Sequence, residues 1–137
     1  MHPVLRSVLA VAGGYLVMVV GVAACSVLAA KLQPELLREN AVPAPNYLAV
    51  NLAYSLAAAV AGGFAAGWFA GLRPVKHAAI LAGLVLVLGL VSAKLAGNWQ
   101  PNWYEFVLVT AMPPATILGG FLSARLRLAS EARANSR

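Results

Sequence analysis

Four long stretches of the chain, 7–30, 41–72, 78–93 and 106–124, contain no Asp, Glu, Lys or Arg, and the ionic groups are collected in the short segments between them. A helix crossing roughly 30 Å of hydrocarbon needs about 20 apolar residues, so each stretch predicts one membrane span. The third must borrow past Lys94, whose aliphatic stem lets its ammonium reach the interface. The expected spans are 7–30, 47–71, 77–97 and 103–124, joined by an outer loop at 31–46 and followed by a cytoplasmic tail at 125–137. Strands of a membrane barrel would alternate apolar and polar residues over about ten positions. These stretches are continuously apolar and rich in Ala and Leu, so the fold class expected is an all-α membrane protein of four transmembrane helices in a single membrane domain.

Composition agrees and narrows the reading. The 137 residues are 61% apolar and only 10% charged, against about a quarter charged in soluble domains. Of the ten basic residues, Arg6, Arg73, Lys76, Arg125, Arg127, Arg133 and Arg137 fall on one side of the expected spans. Lys31, Arg38 and Lys94 fall on the other, matched by Glu35, Glu39 and Glu105. The positive-inside rule then places both termini in the cytoplasm. The net charge of +6 reads as topology and attraction to anionic lipid, and no basic patch interleaved with aromatics argues for nucleic acid.

The single cysteine leaves two readings open. VAACS at 22–26, after a basic start and an apolar run, fits the segment preceding an acylated lipoprotein cysteine. The apolar run continues through Val27–Leu28–Ala29–Ala30, which fits instead a small intramembrane Cys25 packed against other helices.

The second and fourth spans echo one another. Ala58, Gly62, Gly63 and Phe64 align with Ala115, Gly119, Gly120 and Phe121, and Tyr47 and Val50 then align with Tyr104 and Val107. Two helical hairpins in a parallel repeat are expected from this. Small residues recur every four positions on the second span at Ser55, Ala59, Gly63, Gly67 and Gly71, and on the fourth at Ala111, Ala115, Gly119 and Ser123. Weaker ladders are Gly21, Cys25 and Ala29 on the first span, and Gly89, Ala93 and Gly97 on the third. In lipid, helices associate where small residues let backbones approach, so these ladders predict a tight bundle, with any surplus face open to another copy or a partner.

Polar groups within the spans are few. Asn51, Tyr54 and Ser55 share a face of the second helix, and Thr110 and Thr116 lie on the fourth. They suit interhelical hydrogen bonding or the lining of a transport path. Pro113 and Pro114 predict a kink near 110–112 whose freed carbonyls either pack or coordinate a cation. No Asp is present and every Glu lies at or beyond a membrane boundary, which argues against proton-coupled export. His2 and His77 lack Cys or carboxylate companions at ligand spacing, so no metal, haem or other cofactor is expected. No catalytic residues can be assembled, and the protein is not expected to be an enzyme.

GNWQPNWYEF at 97–106 gathers the aromatics. Trp99, Trp103 and Tyr104 are expected as interfacial anchors with Glu105 and Lys94, and Asn102 with Glu105 as a capping box opening the fourth helix. GLRPVKH at 71–77 is expected as a tight turn in which Gly71 ends one helix and Pro74 opens the next.

The run GGFAAGWFAGLRPVKHAAILAGLVLVLGL followed by WYEFVLVTAMPPATILGGFLSARLR resembles small four-helix bacterial membrane proteins of uncharacterised function. In these a GG-aromatic helix, an Arg-Pro turn, a Pro-Trp-Tyr-like outer turn and a Pro-Pro/Gly-Gly helix recur. The likeness covers 47–127, and Asn102 interrupts the outer-turn pattern. The resemblance implies the bacterial inner membrane and carries no activity with it. The function expected is an interaction or accessory subunit, oligomeric or within a larger membrane complex. A small oligomeric permease using Asn51, Tyr54 and the Pro113–Pro114 break is the alternative.

Overall fold

The computed structural model describes residues 3–32, 34, 44–95 and 100–136. These form four helices, α1 (Pro3–Leu32), α2 (Pro45–Ala70), α3 (Pro74–Leu95) and α4 (Asn102–Asn135), with no strand among the described residues. All four are long and apolar enough to cross a membrane. Most of the 31–46 loop, together with Gly97, Asn98 and Trp99, lies outside the described residues.

Proline and glycine set the boundaries. Pro45 occupies the start of α2, where its missing N–H costs nothing, and the Ala44 carbonyl accepts from Leu48 N at 3.1 Å. Gly71 ends α2 with φ of 77°, and Arg73 follows at φ of 54°, a left-handed conformation that costs a side-chain-bearing residue about 1–2 kcal/mol. The Arg73 carbonyl then accepts from Lys76 N at 3.1 Å as α3 begins at Pro74.

One expectation is corrected at α4. Pro101, not Asn102, is the N-cap, its φ of −63° and ψ of 136° aiming its carbonyl at Tyr104 N (2.9 Å) and Glu105 N (3.3 Å). Asn102 is already helical, no side-chain cap forms, and Glu105 is displaced by one position from the register of a capping box. At the other end α4 continues as helix through the segment from 125 to Asn135. The sequence from 125 to 134 is Arg, Leu, Ala and Glu with one Ser and no Gly or Pro, so nothing in it stops the helix.

Pairs of touching residues give the directions of packing. Ser26 meets Tyr54, Gly14 meets Gly62 and Ala66, and Arg6 meets Phe69, so α1 runs antiparallel to α2. Asn51 meets Tyr104, Gly63 meets Thr116 and Trp68 meets Arg127, so α2 and α4 are parallel. Gly120 against Ala78 and Gly89 against Val109 make α3 antiparallel to α4. The most extensive contacts are α2 with α4 and α1 with α2, then α3 with α4; α2 and α3 touch less.

Glycine makes these approaches possible. A Cβ on Gly63 would fall on the Thr116 carbonyl oxygen, and one on Gly119 on the Val60 carbonyl oxygen, so α2 and α4 are in backbone contact. A Cβ on Gly62 would sit 2.7 Å from Gly14 O, and one on Gly14 2.6 Å from Gly62 O, so α1 meets the next face of α2 in the same way. Between the elements lie Met18, Ala58, Ala59, Ala66, Leu81 and Val85, a core dominated by alanine because the helices are too close for more.

Replacing Gly63 with Ala should therefore destabilise the bundle by about 1–3 kcal/mol, as overpacking of a rigid contact does. Gly83→Ala, where nothing lies within 4 Å of the added carbon, should leave stability unchanged or slightly higher. Thermal unfolding of both variants in one detergent checks the contrast.

Candidate functional site

Two clusters of polar side chains remain once the apolar packing is accounted for, one at each end of the bundle. The first joins three helices near the start of α2. Asn51 sits at its centre: its amide nitrogen donates to the Tyr54 hydroxyl, and its carbonyl oxygen accepts from Tyr104 Oη and, at 3.3 Å, from Ser55 Oγ. Tyr54 in turn shares a 2.9 Å hydrogen bond with Ser26 Oγ of α1. Three of the five members are one turn of α2 apart, which puts them on one face, and Ser26 and Tyr104 come to that face from its two neighbours.

Tyr104 corrects an expectation. An anchor at the headgroup level keeps its ring in the interface, but this ring is 1% exposed, the largest fully buried side chain described. The antiparallel run of α3 into α4 turns it toward α2, where Asn51 satisfies its hydroxyl, as a buried phenol requires. Trp103 behaves differently: it is exposed, and its ring stands edge-on to Tyr104 at 5.9 Å between centroids. Glu105 lines a cavity of about 410 Å³ between α3 and α4 together with Ser92 and Gln100. Lys94 is exposed at the end of α3, and no ion pair joins it to Glu105 among the described residues.

Pro113 and Pro114 lie inside α4 without ending it. Lacking N–H groups, they cannot bond the carbonyls of Val109 and Thr110 four residues earlier. The Thr110 hydroxyl turns back instead to Phe106 O (2.7 Å) and Val107 O (3.2 Å), and Thr116 Oγ1 donates to Met112 O at 2.9 Å. No hydrogen bond among the described residues joins this stretch of α4 to the Asn51–Tyr54 cluster.

The small-residue positions are used unequally. Ser55, Ala59, Gly63 and Gly67 are buried on α2, as are Gly119 and Ser123 on α4, while Ala115 is partly buried against the core and Gly71 serves as the helix end. The two Gly-Gly motifs have exchanged neighbours: Gly62 faces α1 and Gly63 faces α4, whereas Gly119 faces α2 and Gly120 faces α3. On α1 the intimate contact is at Gly14, flanked by buried Ala10 and Met18, a stripe that the Gly21–Cys25–Ala29 ladder did not include.

The second cluster surrounds the C-terminal end of α2, whose last turn contains no basic residue of its own. Two arginines from other helices supply the positive charge that the exposed carbonyls favour. Arg127 of α4 donates Nη1 to Gly71 O at 3.0 Å and Nη2 to Trp68 O, with its guanidinium 5.1 Å above the Trp68 ring centroid. Trp68 is itself stacked on Phe64 at 5.7 Å. Arg6 of α1 donates Nε to Phe69 O at 3.4 Å. His77 completes the end of the bundle. Its Nδ1 lies 3.1 Å from Arg73 O, and a carbonyl can only accept, so the neutral ring carries its proton on Nδ1 and Nε2 accepts from Ser7 Oγ at 3.0 Å. Charge counting had read Arg6 and Arg127 as topology signals; their docking on one helix end was visible only as a missing basic residue in α2. Among the described residues no group of three potential metal ligands occurs.

No family model, curated protein or solved structure matches the chain.

Asn51→Leu should cost about 1–3 kcal/mol, because it leaves the Ser55 and Tyr104 hydroxyls without the Asn51 acceptor and Tyr54 with Ser26 alone. Tyr104→Phe removes one member only and should cost about 0.6 kcal/mol, the usual worth of an interhelical hydrogen bond in a membrane. At the other end, Arg127→Lys preserves charge but not the grip on two carbonyls, and should lose most of the roughly 1.5–3 kcal/mol lost in Arg127→Ala. Unfolding titrations in mixed micelles would rank the four variants.

Proposed function

We propose that this chain is a non-enzymatic interaction or accessory subunit of the bacterial inner membrane, acting as an oligomer or within a larger membrane complex. Both termini and the α2–α3 turn face the cytoplasm in this reading, following the excess of Arg and Lys at that end. The chain is read as two hairpins, α1–α2 and α3–α4, joined through the parallel α2–α4 contact. The exchanged neighbours of the Gly-Gly motifs count against an exact two-fold relation between them.

The observation that carries the proposal is the length of α4. Its 34 residues span about 51 Å, some 20 Å more than the hydrocarbon thickness. Part of the excess lies past Arg127, the residue that closes the end of α2, and Leu126 and Leu128 on either side of that arginine are 55% and 66% exposed. A helix that leaves the membrane with bare leucines between arginines offers a partner an apolar anchor and a charged rim. The Asn51 face, by contrast, is occupied by its own hydrogen bonds to Tyr54, Ser55 and Tyr104, which weakens the permease alternative.

Native mass spectrometry of the protein released from its own membrane in mild detergent should show a closed oligomer or a defined heterologous complex. Leu126→Glu together with Leu128→Glu should dissociate it while leaving the thermal midpoint of the bundle within a few degrees. A monomer of unaltered mass in the wild type, or specific ion or solute flux in vesicles that Asn51→Leu abolishes, would replace this reading with the alternative.

A further inference from the structure

The buried residues of α3 are Ala78, Leu81, Ala82 and Val85, all in the half of the helix next to the α2–α3 turn. Toward its other end α3 draws away from the bundle. Gly89 keeps one contact, with an added carbon 3.3 Å from the Val109 side chain, and beside it lies the 410 Å³ cavity between α3 and α4. A second cavity, of about 470 Å³, lies between α3 and α1 and shares Val85, Gly89, Ser92 and Met112 with the first. The two form one crevice along α3. Its walls are apolar, and the outer surface of α3 beside it, Leu86 to Val91, is exposed to the bilayer.

The mouth of this crevice is not apolar. Glu105, in the first turn of α4, lines it with the amide of Gln100 and the hydroxyl of Ser92. No cation of the described chain pairs with this carboxyl group. We propose that the crevice seats a phospholipid whose headgroup bears a primary ammonium, the ammonium on Glu105 and one acyl chain along Val85, Leu108 and Met112. The occupant is a membrane lipid because the crevice communicates sideways with the acyl chains of its own leaflet. The carboxylate selects a cation, and the oxygen acceptors around it select one with N–H donors, so an ethanolamine headgroup fits where a choline headgroup has nothing to donate and a glycerol headgroup donates hydroxyls but has no cation to balance its phosphate. This site is separate from the α4 extension and stands or falls independently of the proposed function.

The test uses the full chain reconstituted in vesicles containing equal amounts of phosphatidylethanolamine, phosphatidylcholine and phosphatidylglycerol, then extracted in mild detergent for native mass spectrometry. Wild-type protein should retain phosphatidylethanolamine about tenfold over phosphatidylcholine, the ratio that about 1.4 kcal/mol represents. Glu105→Gln should erase that preference, Glu105→Asp should keep it, and Gly89→Leu, which fills the crevice, should lower retention of all three lipids. Equal retention of the ethanolamine and choline lipids by the wild type would overturn the proposal. So would a preference for the glycerol lipid, an unaltered preference in Glu105→Gln, or a second protein chain taking the place of lipid in the wild type.

Discussion

Backbone-to-backbone contact between helices is the constraint from which the rest of this structure follows. In a bilayer, apolar side chains gain nothing by leaving lipid for one another, so a bundle must win its cohesion from close approach and from the few polar groups it encloses. Adjacent glycines at 62–63 and 119–120 give two helices two bare faces each, one turned to a sequence neighbour and one to the other Gly-Gly helix. That is why α2 can touch all three companions, and why the core contains more alanine than leucine.

Once the glycines fix the depth at which α2 and α4 cross, both ends of the pair are pinned by polar contacts. At one end Asn51 takes up hydroxyls from its own helix and from α4, and α1 joins through Ser26 and Tyr54. At the other, arginines from α1 and α4 close over the last carbonyls of α2. Each contact is modest in free energy, but they lie at opposite ends of a lever whose fulcrum is the glycine contact. Sliding either helix by a turn would break all of them together.

Much of this was legible in the residues, and the failures have physical causes. Uninterrupted apolar runs gave the four helices, and Gly71 with Pro74 gave the turn between α2 and α3, because hydropathy and backbone restriction are local properties. The ladder on α2 pointed to the buried face for the same reason. Tyr104 misled because an aromatic beside a membrane boundary has the same composition signal whether it faces lipid or the interior; only the rotation of α4 decides. Gly14 was overlooked because its partner is Gly62, 48 positions away in another helix, and the register between two helices is not a local property. The helical continuation of α4 past 124 was not legible in the charge pattern, because charge ends a membrane span but does not end a helix.

The convergence on the last turn of α2 also has a consequence for how the chain is made. Arg6 precedes α2 in the chain and Arg127 lies 56 residues beyond Gly71, yet both close the same helix end. While α4 is still being synthesised, α2 has neither its parallel companion nor its second arginine, and its Gly63–Gly67 face is open to whatever the insertion machinery provides. The packing of the second helix is thus completed only after α4 has been made, and assembly of the four-helix bundle waits on the emergence of the segment that carries Arg127.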